Sequence, residues 1–421
     1  MKVHLKIFVT ALLLAVSALW LSSCKKDPVP PTVTTAGVSA VTLTTATAGG
    51  NVTADGGAEV TSRGVCWNTS ENPTIANNKT SDGTGTGSFT SSLTGLSPGT
   101  PYYVRAYATN AAGTTYGNQQ SFTTSPVLLA TVTTAGISTY NDITAVSGGE
   151  ITNDGGGNIT ARGVCWSSAT QTPTISDSKT EDGTGTGSFT SNLTNLQPGT
   201  IYWVRAYAVN SAGPNYGSPV SFTTLLAGQI RDVDGNIYNT VTIGTQIWMA
   251  ENLKTTKYND GTDIPLVPGT WYSLTTPAYC WYDNDQAANA DPYGALYSYY
   301  AVETGKLCPA GWHVPSYYQE YQALIDYLGG NSVAGGKLKE KGTTHWQSPN
   351  TGASDDYGFT AVPGGIKMIE YFTGLGIEAG LWSSSVEATT ARYLSLNYNY
   401  ESAGYGGAVK RVGLSVRCLK D

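Results

Sequence analysis

Histidine is almost missing from this chain, with three residues in 421. Multi-histidine metal sites and imidazole-based catalysis therefore have little material. Only His313 and His345 lie beyond the first two dozen residues, and they are far apart. Charge is also sparse: Asp, Glu, Lys and Arg make up 13% of the chain. Together with 50 glycines, that argues against long amphipathic helices as the main framework. The 23 basic and 30 acidic residues give a net charge of −7, so a concentrated basic face for nucleic acid is not expected. Beyond the first residues, no apolar run approaches the ~20 needed to span a bilayer. What is plentiful is Thr, Ser, Tyr and Val, the composition of strands.

The one long apolar stretch opens the chain. Lys2 and Lys6 form a basic start, Ile7 to Leu19 is almost wholly apolar, and Leu21-Ser22-Ser23 leads into Cys24. That is the grammar of a secretory signal, and it is too short for a stable span. Leu-Ser-Ser-Cys resembles the bacterial lipobox, which implies a diacylglycerol on the Cys24 thiol and cleavage just before it. Residues 1–23 then read as the signal peptide and 24–31 as a lipidated, proline-rich tether. Outer-membrane lipid is the partner reached through Cys24, and everything beyond lies outside the cytoplasm. An ordinary signal with an incidental cysteine is the alternative. Lys25-Lys-Asp27 resembles the charged export tag of Bacteroidetes-type surface lipoproteins, and reads equally well as a solvated linker. Surface and periplasmic orientations both stay open.

Internal duplication is the next signal. Val33 to Gly37 returns as Val132 to Gly136, and Arg63 to Trp67 as Arg162 to Trp166, 99 residues on. Asp82 to Ser91 returns as Asp182 to Ser191, and Val104 to Ala108 as Val204 to Ala208, 100 residues on. One residue inserted between Trp67 and Pro73 or their counterparts explains the shift. A period of this length fits duplication of a whole small domain. Short Val/Thr/Tyr runs between Gly, Asn, Asp and Pro clusters predict an antiparallel sandwich. Leu96-x-Pro98-x-Thr100-x-Tyr102, repeated around Leu196, Pro198, Thr200 and Tyr202, places a tyrosine just after a Pro-Gly corner. Its hydroxyl can return to the corner backbone. The pattern resembles fibronectin type III domains, over residues 32–124 and 130–224. Cys66 and Cys165 occupy matching inner-strand places and read as small buried hydrophobes. Neither copy carries a cluster of acid, base and nucleophile, so both read as spacers.

Residues 227–421 differ, holding 19 of the 27 Tyr and 6 of the 10 Trp. Asp234-Gly235 signals a hairpin turn. Asp232 and Asp234 lack the later acidic ligand of a twelve-residue calcium loop. A helix is predicted over Tyr317 to Leu328, with Gln319 completing a capping box from Ser316. Its buried stripe is Tyr321, Leu324, Ile325 and Leu328, and Gly329-Gly330 ends it. A second helix is expected after Ser332.

Five blocks carry a resemblance: Asp234 to Tyr238, Trp248 to Lys254, Cys308 to Ser316, Trp382 to Ser385 and Gly413 to Asp421. Together they resemble the major paralogous domain first noted in Fibrobacter and abundant in Bacteroidetes lipoproteins. The order of elements is similar to a C-type-lectin-like fold. The whole chain is accordingly expected to be mainly β: two fibronectin type III-like β-sandwiches followed by an α+β C-type-lectin-like domain. The resemblance brings Cys308 and Cys418 together, which implies a disulfide in an oxidising compartment and leaves Cys280 free; three buried thiols is the alternative. The Glu-Pro-Asn and Trp-Asn-Asp triplets of calcium-dependent sugar binding are missing.

Asp355, Asp356, Glu370 and Glu378 read as surface carboxylates, and Ser383 to Ser385 lacks a nucleophile elbow and a histidine partner. No motif calls for a metal or cofactor, and no catalysis is expected. Ligand recognition is expected instead. Asn397, Tyr398, Asn399, Tyr400 and Tyr405 belong to a Tyr-, Asn- and Gly-rich linker of recognition-loop composition. Strand alternation would put Tyr398 and Tyr400 on one face. Trp271 and Trp281, each followed by a Tyr, are candidate stacking surfaces for a sugar, or core. A glycan or protein ligand outside the cytoplasm is the expected partner. An assembly role in an envelope complex is the alternative, and a carbohydrate-processing enzyme the weaker third.

Overall fold

The computed structural model describes residues 26–421, so Cys24 and the expected signal peptide lie outside the described residues. In the first repeat Thr32–Thr35, Ala46–Ala54 and Gly87–Leu93 pair antiparallel in that order. Facing them, Asn78–Lys79, Ser62–Asn68, Pro101–Asn110 and Gly113–Tyr116 form the second sheet. Gln120–Thr123 returns to pair with Pro101–Asn110. The second repeat has the same layout around Ala145–Asn153, Ala161–Ser167 and Ile201–Asn210, with an added two-residue strand, Thr139–Tyr140. Both are fibronectin type III-like β-sandwiches, and the chain is mainly β.

Alternation along Pro101–Asn110 turns Tyr102, Val104, Ala106 and Ala108 inward against Val33, Val52, Val65 and Leu93. The Gly49-Gly50 pair lets the two sheets close. A Cβ on Gly50 would stand 2.6 Å from that of Ala106, and one on Gly149 would stand 2.5 Å from that of Ala206. At each corner the backbone N–H of Ser97 or Gln197 donates to the hydroxyl of Tyr102 or Tyr202, both at 3.0 Å. Cys66 and Cys165 are buried, free thiols. Each faces the carbonyl at the end of the unequal loop, Pro73 at 3.3 Å and Pro173 at 3.4 Å. Burial pushes both thiols up to about 11, against the pull of a neighbouring arginine.

Part of the proline-rich segment is built into the first sandwich. Val29 donates to the Gly56 carbonyl at 2.9 Å and accepts from the Asn110 side chain at 2.8 Å. Leu128 makes the matching pair with Gly155 and Asn210.

The head has three small sheets. One runs Gln229–Arg231, Ile237–Ile243, Gln246–Met249, Leu419–Lys420, Trp312–His313, joining the start of the head to its last residues. A second runs Tyr279–Cys280, Leu296–Ser298, Gly413–Leu414, Gly364–Lys367, Phe372–Leu375. The third is Glu378–Glu387, Thr390–Asn397, Ala403–Ala408. The Gly-rich segment expected as a linker is therefore itself the edge strand of this sheet. Cys308 and Cys418 form a disulfide across a separation of 110 residues. Cys280 is free and buried.

The predicted helix begins with a wide π-type turn, Tyr317–Tyr321, and continues as an α-helix over Gln322–Tyr327. Tyr321, Leu324, Ile325 and Leu328 form its buried stripe. Its cap differs from the expected one. Glu320, not Gln319, receives the Ser316 N–H at 2.7 Å and the Ser316 hydroxyl at 2.9 Å. The wide first turn, in which Tyr321 N–H reaches the Ser316 carbonyl, moves the reciprocal position one residue along. The second helix is Asn331–Leu338.

Candidate functional site

Both candidate tryptophans are core. Trp271 is fully buried, donates its indole N–H to the Val267 carbonyl at 2.9 Å, and packs against Gly413, where a Cβ would stand 2.8 Å from its ring. Trp281 is 4% exposed and packs edge-on to Tyr279 with ring centroids 5.8 Å apart. The irregular stretch that carries them has little regular structure to bury, so its indoles supply the apolar surface that closes it. The solvent-facing partner of the first pair is the tyrosine: Tyr272 is 66% exposed.

The Tyr398 and Tyr400 expectation also fails geometrically. The strand ends at Asn397, and residues 398–399 turn away from it. Alternation therefore no longer applies: Tyr398 packs half-buried against the head core, while Tyr400 is exposed. Asn397 accepts the Asn399 N–H with its side chain at 3.0 Å, an internal turn bond that leaves the Asn399 side chain outward. Beneath this turn sits a residue that sequence reasoning missed. Lys339 is fully buried, and its ammonium donates to the carbonyls of Thr351 at 2.9 Å, Asn397 at 3.0 Å and Tyr400 at 2.8 Å. It also stands 5.5 Å from the Trp346 ring. Burial pulls its pKa down to about 8, against the opposing field of Glu401.

Tyr405 projects from the edge strand Ala403–Ala408 and is 67% exposed. Its ring meets Tyr317 at 5.8 Å, and Tyr317 meets the exposed Tyr318 at 5.3 Å. The Arg392 guanidinium lies 5.8 Å from the Tyr405 ring and pairs with Glu387, which also accepts the Tyr318 hydroxyl at 2.8 Å. The result is a cluster of edge-to-face tyrosines on the edge strand.

A concave site takes in Thr389 of the Glu387–Thr390 hairpin. It is a groove of about 380 Å³, walled by Tyr272, Tyr300, Thr389, Val409, Lys410 and Arg411, with Ser273 to Thr275 along its rim. One Arg411 Nη1–H donates to the Tyr272 carbonyl at 2.5 Å, and the guanidinium lies 5.5 Å from the Tyr272 ring. Lys410 pairs with Glu303 at 2.5 Å and lies 5.9 Å from the Tyr300 ring. Two tyrosines and several hydroxyl-bearing residues thus line one open hollow.

Residues 241–420 match the family described as the Fibrobacter succinogenes major domain. No curated protein matches the chain. Among solved structures, the sensor domain of the anti-sigma factor RsgI4 of Pseudobacteroides cellulosolvens is similar at 18% identity. It covers 23% of this chain and 96% of that one, with a TM-score of 0.19. A two-domain fibronectin type III segment of chicken tenascin is similar at 16% identity, covering 47% and 98% respectively, with a TM-score of 0.23.

Several acidic residues of the head are held by hydrogen bonds. Asp232 accepts from Asn236 and from the buried Tyr238 hydroxyl at 2.7 Å, and Asp234 accepts from Thr255 and Thr256. Asp355 closes a turn with Thr360, and Glu378 accepts from Ser395. Ser383 is buried and donates to the Arg392 carbonyl at 2.8 Å. Among the described residues, no group of three or more His, Cys, Asp or Glu could hold a metal ion. His313 sits between Asp421 at 2.6 Å and Glu320 at 2.8 Å. Burial pulls its pKa down, but the two carboxylates outweigh that and hold it above the usual value.

Proposed function

We propose that this chain is a lipid-anchored envelope protein whose C-terminal domain, of C-type-lectin-like fold, binds a glycan without catalysis. Cys24 would carry the acyl chains in the outer membrane, and the two sandwiches would hold the head away from the anchor. The observation that carries the reading is the Tyr272–Tyr300 groove. Sugar rings stack on exposed aromatic faces while hydroxyls and backbone groups take their polar edges, and an open, pre-formed hollow needs little reorganisation to do this. No carboxylate lines that groove, and Asp355, Glu378 and Ser383 are each taken up by a hydrogen bond of the fold, which favours binding over hydrolysis.

The test is a glycan-array screen of the full mature chain beside a Tyr272→Ala/Tyr300→Ala variant, with circular dichroism of both. Saturable binding lost in a still-folded variant is expected. A panel with no bound glycan at all would refute the reading. The Tyr317–Tyr318–Tyr405 patch favours a second reading, an assembly subunit docking a protein at the Ala403–Ala408 edge. Pull-down of one envelope partner, lost on Tyr318→Ala/Tyr405→Ala and indifferent to the groove variant, would favour it.

A further inference from the structure

The groove is aromatic, but its charge is one-sided. Among its lining residues, Lys410 and Arg411 are charged and none is acidic. The two cations differ in what they have left to offer. Lys410 is already paired with Glu303, whereas Arg411 has no ion-pair partner among the described residues. Arg411 commits one Nη1–H to the Tyr272 carbonyl, which anchors the guanidinium beside the ring and leaves its Nε/Nη2 edge for a ligand. That edge meets a carboxylate or sulfate through two parallel hydrogen bonds. The chain as a whole carries −7, so this positive hollow is a local exception on an acidic protein rather than part of a general basic surface.

We infer that the groove selects an anionic saccharide, one whose ring stacks on Tyr272 or Tyr300 while its carboxylate or sulfate is held by Arg411. This rests on the glycan reading and adds to it a charge requirement. A neutral sugar would leave the guanidinium edge in the groove without a partner. An acidic one would replace its water with a charge-assisted pair.

The test is an array carrying neutral, carboxylated and sulfated oligosaccharides, probed with the full mature chain and with Arg411→Gln. Every bound glycan is expected to be anionic, and the carboxylated and sulfated arms show which acid group is taken. Methyl-esterifying a bound uronate, or introducing Arg411→Gln, should each weaken binding about tenfold. Raising salt from 50 to 500 mM should weaken the wild type more than Arg411→Gln. A neutral glycan bound as tightly as its acidic counterpart, or an unchanged affinity in Arg411→Gln, would overturn the charge requirement and leave the glycan reading standing. No binding to any arm would overturn both. Tyr272→Ala separates the two contributions, because it should weaken acidic ligands while preserving their preference over neutral ones.

Discussion

Replacing Lys339 by methionine removes one ammonium and strips the Thr351 and Tyr400 carbonyls of their donor, while the Asn397 carbonyl keeps the Tyr400 N–H at 3.3 Å. Thr351, Asn397 and Tyr400 are partly exposed, so water can reach some of the freed acceptors. Methionine also relieves the cost of burying the charge. Each buried acceptor stripped of its partner costs roughly 1–3 kcal/mol, and after these offsets the net loss should be about 3 kcal/mol. For a domain of this size that is a fall in melting temperature of about 6–12 °C. Urea unfolding of the full chain would measure the loss in the head transition. Hydrogen exchange should quicken at residues 397–403, where the turn is pinned, and stay unchanged in the two sandwiches. A Lys339→Met protein with an unshifted midpoint and unchanged exchange there would refute the pinning role of the ammonium.

Three further outcomes follow from the same geometry. Removing the Cys308–Cys418 bridge reopens a loop of 110 residues, which the chain-entropy model values at about 4.8 kcal/mol. The double alanine variant should unfold at much lower urea, and an unchanged midpoint would refute that loop-closure argument. Tyr102→Phe leaves the Ser97 N–H without its acceptor and should cost about 1 kcal/mol. Tyr202→Phe should do the same in its own domain, and calorimetry resolving the sandwich transitions would expose an unequal response. His313 is held above its ordinary value of 6.5, so its contribution is complete below pH 6.5 and is lost as pH rises through the folded value. Glu320 is held below 4.5, because bonds from Ser316 and His313 outweigh burial. Its contribution is complete above pH 4.5 and is lost as pH falls through its own folded value. Stability of the head from this cluster should therefore peak between those limits, and His313→Asn should flatten the alkaline side. Superimposable melting-temperature profiles from pH 4 to 9 would sink that assignment.

The sandwiches were legible because their signals are local and occur twice. A tyrosine six residues after Leu96 or Leu196 needs only a corner to fold against, and the corner is written beside it. The stripe of the main helix was legible for a similar reason, since period 3.6 survives a wide first turn. The cap was not, because the register of that turn is invisible in Ser316-Tyr-Tyr-Gln-Glu320. Trp271 and Trp281 misled for the opposite reason. An aperiodic segment gives no face to assign, and large aromatics there fill whatever core the rest of the fold leaves open. Lys339 serves carbonyls 12, 58 and 61 residues away, so nothing adjacent announces it. The groove was hidden likewise, since Tyr272, Tyr300, Thr389 and Arg411 come from four separate segments. The Cys308–Cys418 pairing came from the family resemblance rather than from spacing.

Val29, held by Gly56 and Asn110, has a consequence for how such a chain stands on a membrane. From an acylated Cys24 to that fixed point there are five residue steps, which reach at most about 17 Å at full stretch. If Cys24 is acylated as proposed, a leash this short would hold the first sandwich close to the lipid headgroups, with little room to swing clear. On the proposed lipid anchor, height above the bilayer would then have to come from whole domains, and the sandwich is the one this chain carries twice.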